Sequence, residues 1–432
     1  MLILLLFGIV GQIAWSVENM YFNLFVFDTV APDLDTVTLM VQLSGIVATV
    51  VTLVGGTLSD KTGNRRSFIG WGYAIWGVTV ALFGFLSPEL ISGAFGMPLE
   101  NAVSLTLVLV VVGDCVMTLF GSSANDAGFN AWVTDNTESA YRGRVESILS
   151  ILPLAAMLVV AGGFGILVEA VGYRILFLAL GIIISACGIY GIFVIKDSEA
   201  LAPSGTLSDI FYGFKPSVVK TNKPLYLTLV AVLIYGIGCQ VFMPYMIIYM
   251  KTYLDFSVIE YSLVFGAAII LGALLNLYLG KLSDRYSKPK LLYIAAAVMA
   301  SGLFGMYFSK GLGKTANLIL FGIFGFVMIS GYIFVAALCG SVVRDHTPEG
   351  EVGKLQGVRM VFSVLIPMIV GPLIGNAINR ARNIPLPDQS SADAMTTAYI
   401  PAPEIFLVAG IITLLLFAIT PFVVKAEQGS KH

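Results

Sequence analysis

Charged residues are scarce in this chain, and that scarcity excludes most classes of soluble protein. Only 12% of its 432 residues are Asp, Glu, Lys or Arg, about half the share found in soluble domains. Hydrophobic residues make up 57%, and the mean hydropathy is +0.90. The composition therefore predicts a polytopic membrane protein.

Histidine and cysteine are also rare, which argues against an enzyme or a metalloprotein. The only histidines are His346, in a loop, and His432, at the last position, so no nucleophile–base or metal constellation can be built. The cysteines all lie inside apolar runs without metal-ligand spacing: Cys115, Cys187, Cys239 and Cys339. We predict no catalytic residue, bound metal, cofactor, disulfide or nucleic-acid partner.

Long apolar runs are what the chain has in abundance. Twelve runs have about the 20 residues that a membrane-spanning helix needs, and they are continuous rather than alternating, which excludes membrane strands. They cover residues 2–27, 37–59, 67–87, 101–124, 146–169, 173–195, 224–252, 258–281, 290–309, 315–343, 355–378 and 401–424. The predicted fold class is an all-α polytopic membrane protein with twelve transmembrane helices.

The distribution of Lys and Arg predicts the orientation. With the N-terminus inside, the inner loops hold 18 of the 24 basic residues and the outer loops hold 6. Because cytoplasmic loops carry the excess of Lys and Arg, we expect both termini in the cytoplasm and the protein in the plasma (inner) membrane.

Two short sequence elements each occur twice, which indicates that the chain consists of two repeats. Gly-x-Leu-Ser-Asp ends at Asp60 and again at Asp284, after the second and eighth runs. An Asp-x-Thr element begins at Asp135 and again at Asp345, after the fourth and tenth runs. We predict two pseudo-symmetric six-helix bundles, at residues 1–195 and 224–432, joined by a cytoplasmic linker at 196–223. Parallel repeats of this kind are typical of transporters, with the substrate site between the halves.

Several segments resemble a known transporter family. The stretch "GGTLSDKTGNRR", from Gly55, resembles the loop signature of the major facilitator superfamily. "GQIAWSVEN", from Gly11, is similar to the first helix of sucrose:proton symporters, and "DAGFNAWVTDNTESAYRG", from Asp126, to the end of the fourth helix of glycoside–pentoside–hexuronide:cation symporters. The resemblance implies a sugar transporter that works by alternating access, driven by a proton or sodium gradient, and we expect a monomer in the lipid bilayer.

Three acids at membrane depth are the candidates for cation coupling: Glu18, Asp114 and Asp126. An ionisable group inside a bilayer is costly unless it is paired or hydrated, and it therefore marks a functional site. A carboxylic acid held away from water exchanges a proton near neutrality. Asp114 and Asp126 have a structural alternative, as hydrogen-bond acceptors between helices.

Neutral polar and aromatic residues are the candidates for the substrate site, because sugars need hydrogen bonds to their hydroxyls and a flat ring against their apolar face. The predicted set is Trp15, Asn19, Tyr21, Tyr235, Gln240, Tyr245 and Asn276. Packing against lipid or other helices is the alternative for each of them.

The charged helix ends are predicted to form a cytoplasmic gate, whose ion pairs close the inner side when the carrier faces outward. The predicted set is Asp60, Lys61, Arg65, Arg66, Asp135, Arg142, Arg144, Asp284, Arg285, Asp345, Lys354 and Arg359. For the basic members, orientation in the membrane is an equally good explanation.

The leading hypothesis is a cation-coupled symporter of a neutral sugar or glycoside, with the proton favoured as the coupling ion. A proton-coupled exporter of drugs or small amphiphiles on the same fold is the alternative, and 15 Met and 28 Phe are compatible with its wider apolar cavity. A non-transporting membrane sensor is less favoured, because the chain carries no appended soluble domain.

Overall fold

The computed structural model of the chain describes residues 2–62, 64–137, 142–197, 207–283, 286–348, 352–386 and 398–430. Nearly all of them are helical, and the chain divides into two compact units, Met1–Leu207 and Ser208–His432. The predicted fold class is confirmed. The bundle boundaries given above remain predictions.

The number of membrane-spanning helices follows from the length of the helical stretches and from a break within the longest of them. Ten helical stretches are long and apolar enough to cross a bilayer, and the bent pair Arg65–Phe83 and Pro88–Phe95 makes an eleventh. The longest stretch, Ile151–Val194, is interrupted at Gly172, where φ is 79° and ψ is 159°. Positive φ is readily adopted by glycine alone, so this stretch contains two spans. The described residues therefore contain twelve spans, six in each unit.

The described part of the first unit contains seven helices, of which six span the membrane. In chain order they are α1 Leu2–Val30, α2 Leu34–Thr62, α3 Arg65–Phe83, α4 Pro88–Phe95, α5 Leu99–Asp135, α6 142–171 and α7 173–194. Helix α1 runs past its predicted end at residue 27 and ends where Ala31 turns extended before Pro32, because a residue preceding proline disfavours the helical conformation.

Helices α3 and α7 pack tightly against each other because glycines line their contact. A Cβ atom built on Gly77 would lie 2.3 Å from the carbonyl oxygen of Gly181. Small residues allow such close approach between helices in lipid, where no hydrophobic force drives their association.

Helix α4 lies across the bundle rather than along it. It meets α3 at 89°. Ser87 caps its first turn, Pro88 occupies the first helical position, and Gly96 ends it with φ of 64°. These are ordinary start and stop signals of a short helix.

Among the described residues of the first unit, three spans contain π-helical turns, and the turns of two of these spans hold acids. The turns are Glu18–Phe22 and Val26–Val30 in α1, Ser122–Phe129 in α5 and Val160–Phe164 in α6. A π-turn shifts the side chains that follow it around the helix axis and is frequent at functional sites. Glu18 and Asp126 both lie in such turns.

The second unit begins with a short surface segment and continues with six spans. The segment comprises a 3₁₀ helix, Leu207–Phe214, and α8, Pro216–Thr221. The helices that follow are α9 Lys223–Thr252, α10 Val258–Ser283, α11 Lys288–Phe308, α12 Lys314–Asp345, α13 352–382, α14 Glu404–Leu414 and α15 Leu416–Ser430. Helices α14 and α15 together form the last span.

A small hairpin connects α13 to α14. Strand β1, Ile384–Pro385, pairs antiparallel with β2, Tyr399–Ile400. Beside it, Glu404 accepts from Arg382 at the end of α13 and lies 3.5 Å from Lys310, just beyond α11. Three helix ends of the second unit are thus joined through one carboxylate.

Candidate cation and substrate site

Two of the predicted acids lie deep inside the first unit. Glu18 occupies the first π-turn of α1 and is 7% exposed. Asp114 lies in α5 and is 2% exposed. The burial matches their position at membrane depth in the sequence. Both carboxyls are therefore held away from bulk water.

Two hydroxyls connect these acids. Thr118, one turn after Asp114 on α5, donates to Glu18 Oε1 at 3.0 Å. Ser44 of α2 donates to Asp114 Oδ2 and lies 3.4 Å from the Thr118 hydroxyl. Glu18, Thr118, Ser44 and Asp114 thus form one buried polar chain across three helices, which we call the acid–hydroxyl cluster.

The acid–hydroxyl cluster contains no compensating positive charge. Among the residues that the structure describes, neither Glu18 nor Asp114 has a Lys, Arg or His partner. Glu18 Oε2 and Asp114 Oδ1 are buried and accept no hydrogen bond there. A buried charge without a partner costs several kcal/mol, so ionisation of both carboxyls in this environment is strongly opposed.

The third predicted acid has a different environment. Asp126 lies in the π-turn of α5 and is half-buried. Asn125 Nδ2 donates to its Oδ1 at 3.1 Å, and the Trp15 indole and the Ser122 hydroxyl lie beside the carboxylate. The Asn125 side chain is itself fixed, because the Tyr73 hydroxyl donates to its Oδ1 at 2.8 Å.

Aromatic rings form a wall beside Asp126. The Trp15 ring is 5.2 Å from that of Trp76, which is 5.4 Å from Tyr73. Gly121 leaves room for this packing, since a Cβ atom there would lie 2.8 Å from the Trp76 ring. Trp15 is half-buried, so one ring at the end of the wall combines an apolar face with a neighbouring carboxylate.

The remaining predicted substrate residues are spread over both units. Asn19 is exposed and donates to the Trp15 carbonyl at 2.7 Å, while Tyr21 is fully buried against Phe164. In the second unit, Tyr235 donates to the Tyr332 carbonyl at 3.2 Å and Tyr245 donates to that of Pro372 at 3.0 Å.

Two further members of that set lie in the second unit. The Asn276 amide donates to the carbonyls of Gly272 and Ser330, at 2.8 and 3.1 Å. Gln240 is half-buried beside Gly371. Tyr21, Tyr245 and Asn276 thus support helix packing in this conformation, and the role of the whole set in substrate binding remains a prediction.

The predicted gate residues form ion pairs within each unit. Arg65, at the start of α3, is 3.0 Å from Asp135 at the end of α5, and its side chain is 5% exposed. Lys288, at the start of α11, is 2.6 Å from Asp345 at the end of α12, with both partners more exposed. Asp135 and Asp345 each therefore join two helix ends of their own unit. Their role in a gate between the halves remains a prediction.

Other predicted gate residues differ in how far the structure describes them. The Arg66 amide donates to Asp197 at 2.9 Å and its guanidinium to the Ile192 carbonyl, whereas Lys61 is exposed and Arg359 half-buried. Asp284 and Arg285 lie outside the described residues, and so do the side chains of Asp60, Arg142, Arg144 and Lys354.

Comparisons with known proteins agree with this architecture. The family model described as Major Facilitator Superfamily matches residues 4–372 and 228–432. The chain belongs to this superfamily. As a member it is an integral membrane transporter and not an enzyme, and the resemblance to the superfamily seen in the sequence is confirmed.

Solved structures share the fold of this transporter at low sequence identity. A D-xylose-proton symporter has a TM-score of 0.74 at 14% identity, with 97% of this chain and 96% of that chain covered. The nucleoside transporter NupG has a TM-score of 0.64 at 15% identity, with 98% of each chain covered. No curated protein matches the transporter by sequence.

Several contributors to these sites were not predicted from the sequence, among them Ser44, Lys288 and Ser59. Ser44 is a single hydroxyl in an apolar run, and nothing in that run distinguishes it from a packing residue. Lys288 was counted only as an inner basic residue. Ser59, which accepts from Arg65 at 2.7 Å, lies within the repeated Gly-x-Leu-Ser-Asp element, so the repeat itself was the available signal.

Proposed function

We propose that this transporter is a symporter that couples uptake of a neutral sugar or glycoside to a cation, with the proton as the favoured ion. The observation that carries the proposal is the acid–hydroxyl cluster. It buries Glu18 and Asp114, joins them through Thr118 and Ser44, and leaves one oxygen of each acid without a partner among the described residues.

Coupling follows from the cost of an uncompensated charge. A conformational change that carries ionised Glu18 and Asp114 through a low-dielectric interior is opposed by several kcal/mol. Binding of a cation to the cluster removes that penalty, so the loaded form changes conformation more readily than the empty form. Alternating access then moves the cation and its substrate together.

The substrate contacts of the first unit are proposed at Trp15, Asn19 and Asp126. A half-buried Trp ring supplies the flat apolar face that a sugar requires, and a carboxylate accepts from neighbouring sugar hydroxyls. Asp126 lies beside Trp15, and Trp15 is three residues from Glu18 on α1. Substrate bound there is therefore close enough to the cluster for the two binding events to influence each other.

The solved neighbours guide the choice of substrates to test. One carries D-xylose with protons and the other carries nucleosides, and both cargoes present hydroxyls on a sugar ring. The orientation is likewise a proposal: the distribution of Lys and Arg supports cytoplasmic termini in a plasma (inner) membrane.

The decisive experiment uses the purified transporter in proteoliposomes. Pentoses, hexoses, disaccharides and nucleosides are added one at a time while the external pH is recorded, with and without sodium. A symporter of sugars and protons produces alkalinisation with at least one sugar and needs no sodium. Sodium-dependent uptake without alkalinisation would assign sodium as the ion. No response to any sugar, together with proton-driven drug efflux, would contradict the proposal and support the exporter.

A further inference from the structure

The surface segment that precedes α9 contains exposed apolar rings and exposed lysines within a short stretch of chain. Phe211 and Phe214 are 67% and 44% exposed. Lys215, Lys220 and Lys223 follow within nine positions and are also exposed. We call residues 211–223 the basic aromatic segment.

The basic aromatic segment is fixed to the second unit. The Tyr226 hydroxyl of α9 donates to the carbonyl of Gly213, and Gly213 packs against Val358 of α13. Val218 is 7% exposed, in a hydrophobic cluster with Leu225 of α9. The exposed phenylalanines and lysines are therefore held in place by buried neighbours.

The three lysines have no counter-charge among the described side chains. No carboxylate there forms an ion pair with Lys215, Lys220 or Lys223. Lys215 Nζ lies 5.5 Å from the centre of the Tyr212 ring, a contact that leaves its charge uncompensated. A cluster of like charges of this kind attracts an anionic surface.

We propose that the basic aromatic segment binds anionic phospholipids at the membrane surface. Lys223 is the first residue of a membrane span, so the segment lies within a few residues of the lipid headgroups. Amphipathic surface segments insert apolar side chains at the headgroup–acyl boundary and place Lys near lipid phosphates. Free phosphate would account for the lysines but not for the exposed phenylalanines.

The test places a probe on the segment of the intact transporter. Phe211→Cys is labelled with a polarity-sensitive fluorophore in a Cys115→Ser background, because the other three cysteines are buried. The labelled protein is embedded in nanodiscs of phosphatidylcholine alone, or with about 30% phosphatidylglycerol to mimic an anionic leaflet. Iodide in the aqueous phase quenches the fluorescence of a label that it can reach. The extent of quenching therefore reports how far lipid protects the label.

We expect strong protection only in the anionic nanodiscs. Each Lys near an anionic surface strengthens attachment about fivefold, so three give roughly a 100-fold change in the ratio of protected to exposed label. Changing all three lysines to Gln should abolish the difference, and changing all three to Arg should retain it. Adding phosphate should not release the label, whereas high salt should.

The chain offers a matched control at the end of α4 in the first unit. Phe95 is 66% exposed at the end of α4, a helix without a basic residue. A label at Phe95→Cys should be quenched equally in both nanodiscs. Equal protection of the Phe211 label in the two lipids, or protection that survives the Lys→Gln changes, would overturn the proposal and indicate that protein covers the segment.

Discussion

The two units share a helical plan but differ in the chemistry of their interiors. The first unit buries Glu18 and Asp114 in the acid–hydroxyl cluster and holds Asp126 nearby. The segment of α9 that corresponds to the Glu18 region, Tyr235–Tyr245, contains Gln and Tyr but no acid, and its tyrosine hydroxyls donate to backbone carbonyls.

Under the proposed function, this difference assigns ion coupling to one half of a duplicated chain. A buried acid is expensive in any membrane helix, and it persists where binding a cation is useful. The corresponding segment of the second unit, Tyr235–Tyr245, avoids that cost because it contains neutral Gln and Tyr side chains instead of acids. The same asymmetry is visible at the helix ends, where Arg65 is buried beside a 25% exposed Asp135 and both Lys288 and Asp345 are more exposed.

The largest effect is expected from Glu18→Gln. Removing this acid removes half of the proposed cation site, so concentrative uptake should be lost while exchange of substrate across the membrane persists. Uptake and counterflow in proteoliposomes measure the two processes. Glu260→Gln, the same change at the start of α10 in the second unit, is the control and should keep full uptake. Gradient-driven uptake by Glu18→Gln would refute the assignment of coupling to the first unit.

Arg65→Ala should give the next largest effect, on stability. It removes the charge-assisted hydrogen bond between the buried Arg65 and Asp135, whose side chain is 25% exposed, and a hydrogen bond to a charged group is worth about 1.5–3 kcal/mol. The apparent unfolding temperature of the purified protein in detergent should fall clearly. Arg65→Lys should be intermediate, because Lys keeps the charge but lacks the planar donor group of Arg. An unchanged unfolding temperature would show that this pair has no structural role.

Ser44→Ala should change the cation requirement by about tenfold, since a hydrogen bond to a charged group is worth roughly 1.5–3 kcal/mol. Loss of the donor disfavours the ionised acid. If the ion is a proton, uptake becomes half-maximal at a lower proton concentration. If the ion is sodium, loss of an oxygen ligand raises the sodium concentration required. Ser44→Thr should restore the wild-type value, and an unchanged requirement would exclude Ser44 from the site.

The sequence predicts the fold and identifies the acids at membrane depth. It does not predict which residues contact those acids. Glu18 and Asp114 stand out because charge is so rare in apolar runs. Ser44 does not, because a hydroxyl is tolerated in a membrane helix without a functional reason. The pairing of Arg65 with Asp135 joins residues 70 positions apart, and no local pattern specifies which inner basic residue meets which acid. Three-dimensional packing determines both the contact of Ser44 with Asp114 and the pairing of Arg65 with Asp135.

The smallest effect is expected from Lys288→Ala, the counterpart of Arg65→Ala in the second unit. Its side chain is 30% exposed and that of Asp345 is 51% exposed, so water and salt screen the pair. Exposed pairs contribute about 0–1 kcal/mol. The unfolding temperature should therefore shift much less than in Arg65→Ala, and high salt should remove most of the shift. An equal loss in the two variants would show that the asymmetry between the units does not extend to their helix ends, and that the exposed pair is as important to its unit as the buried one.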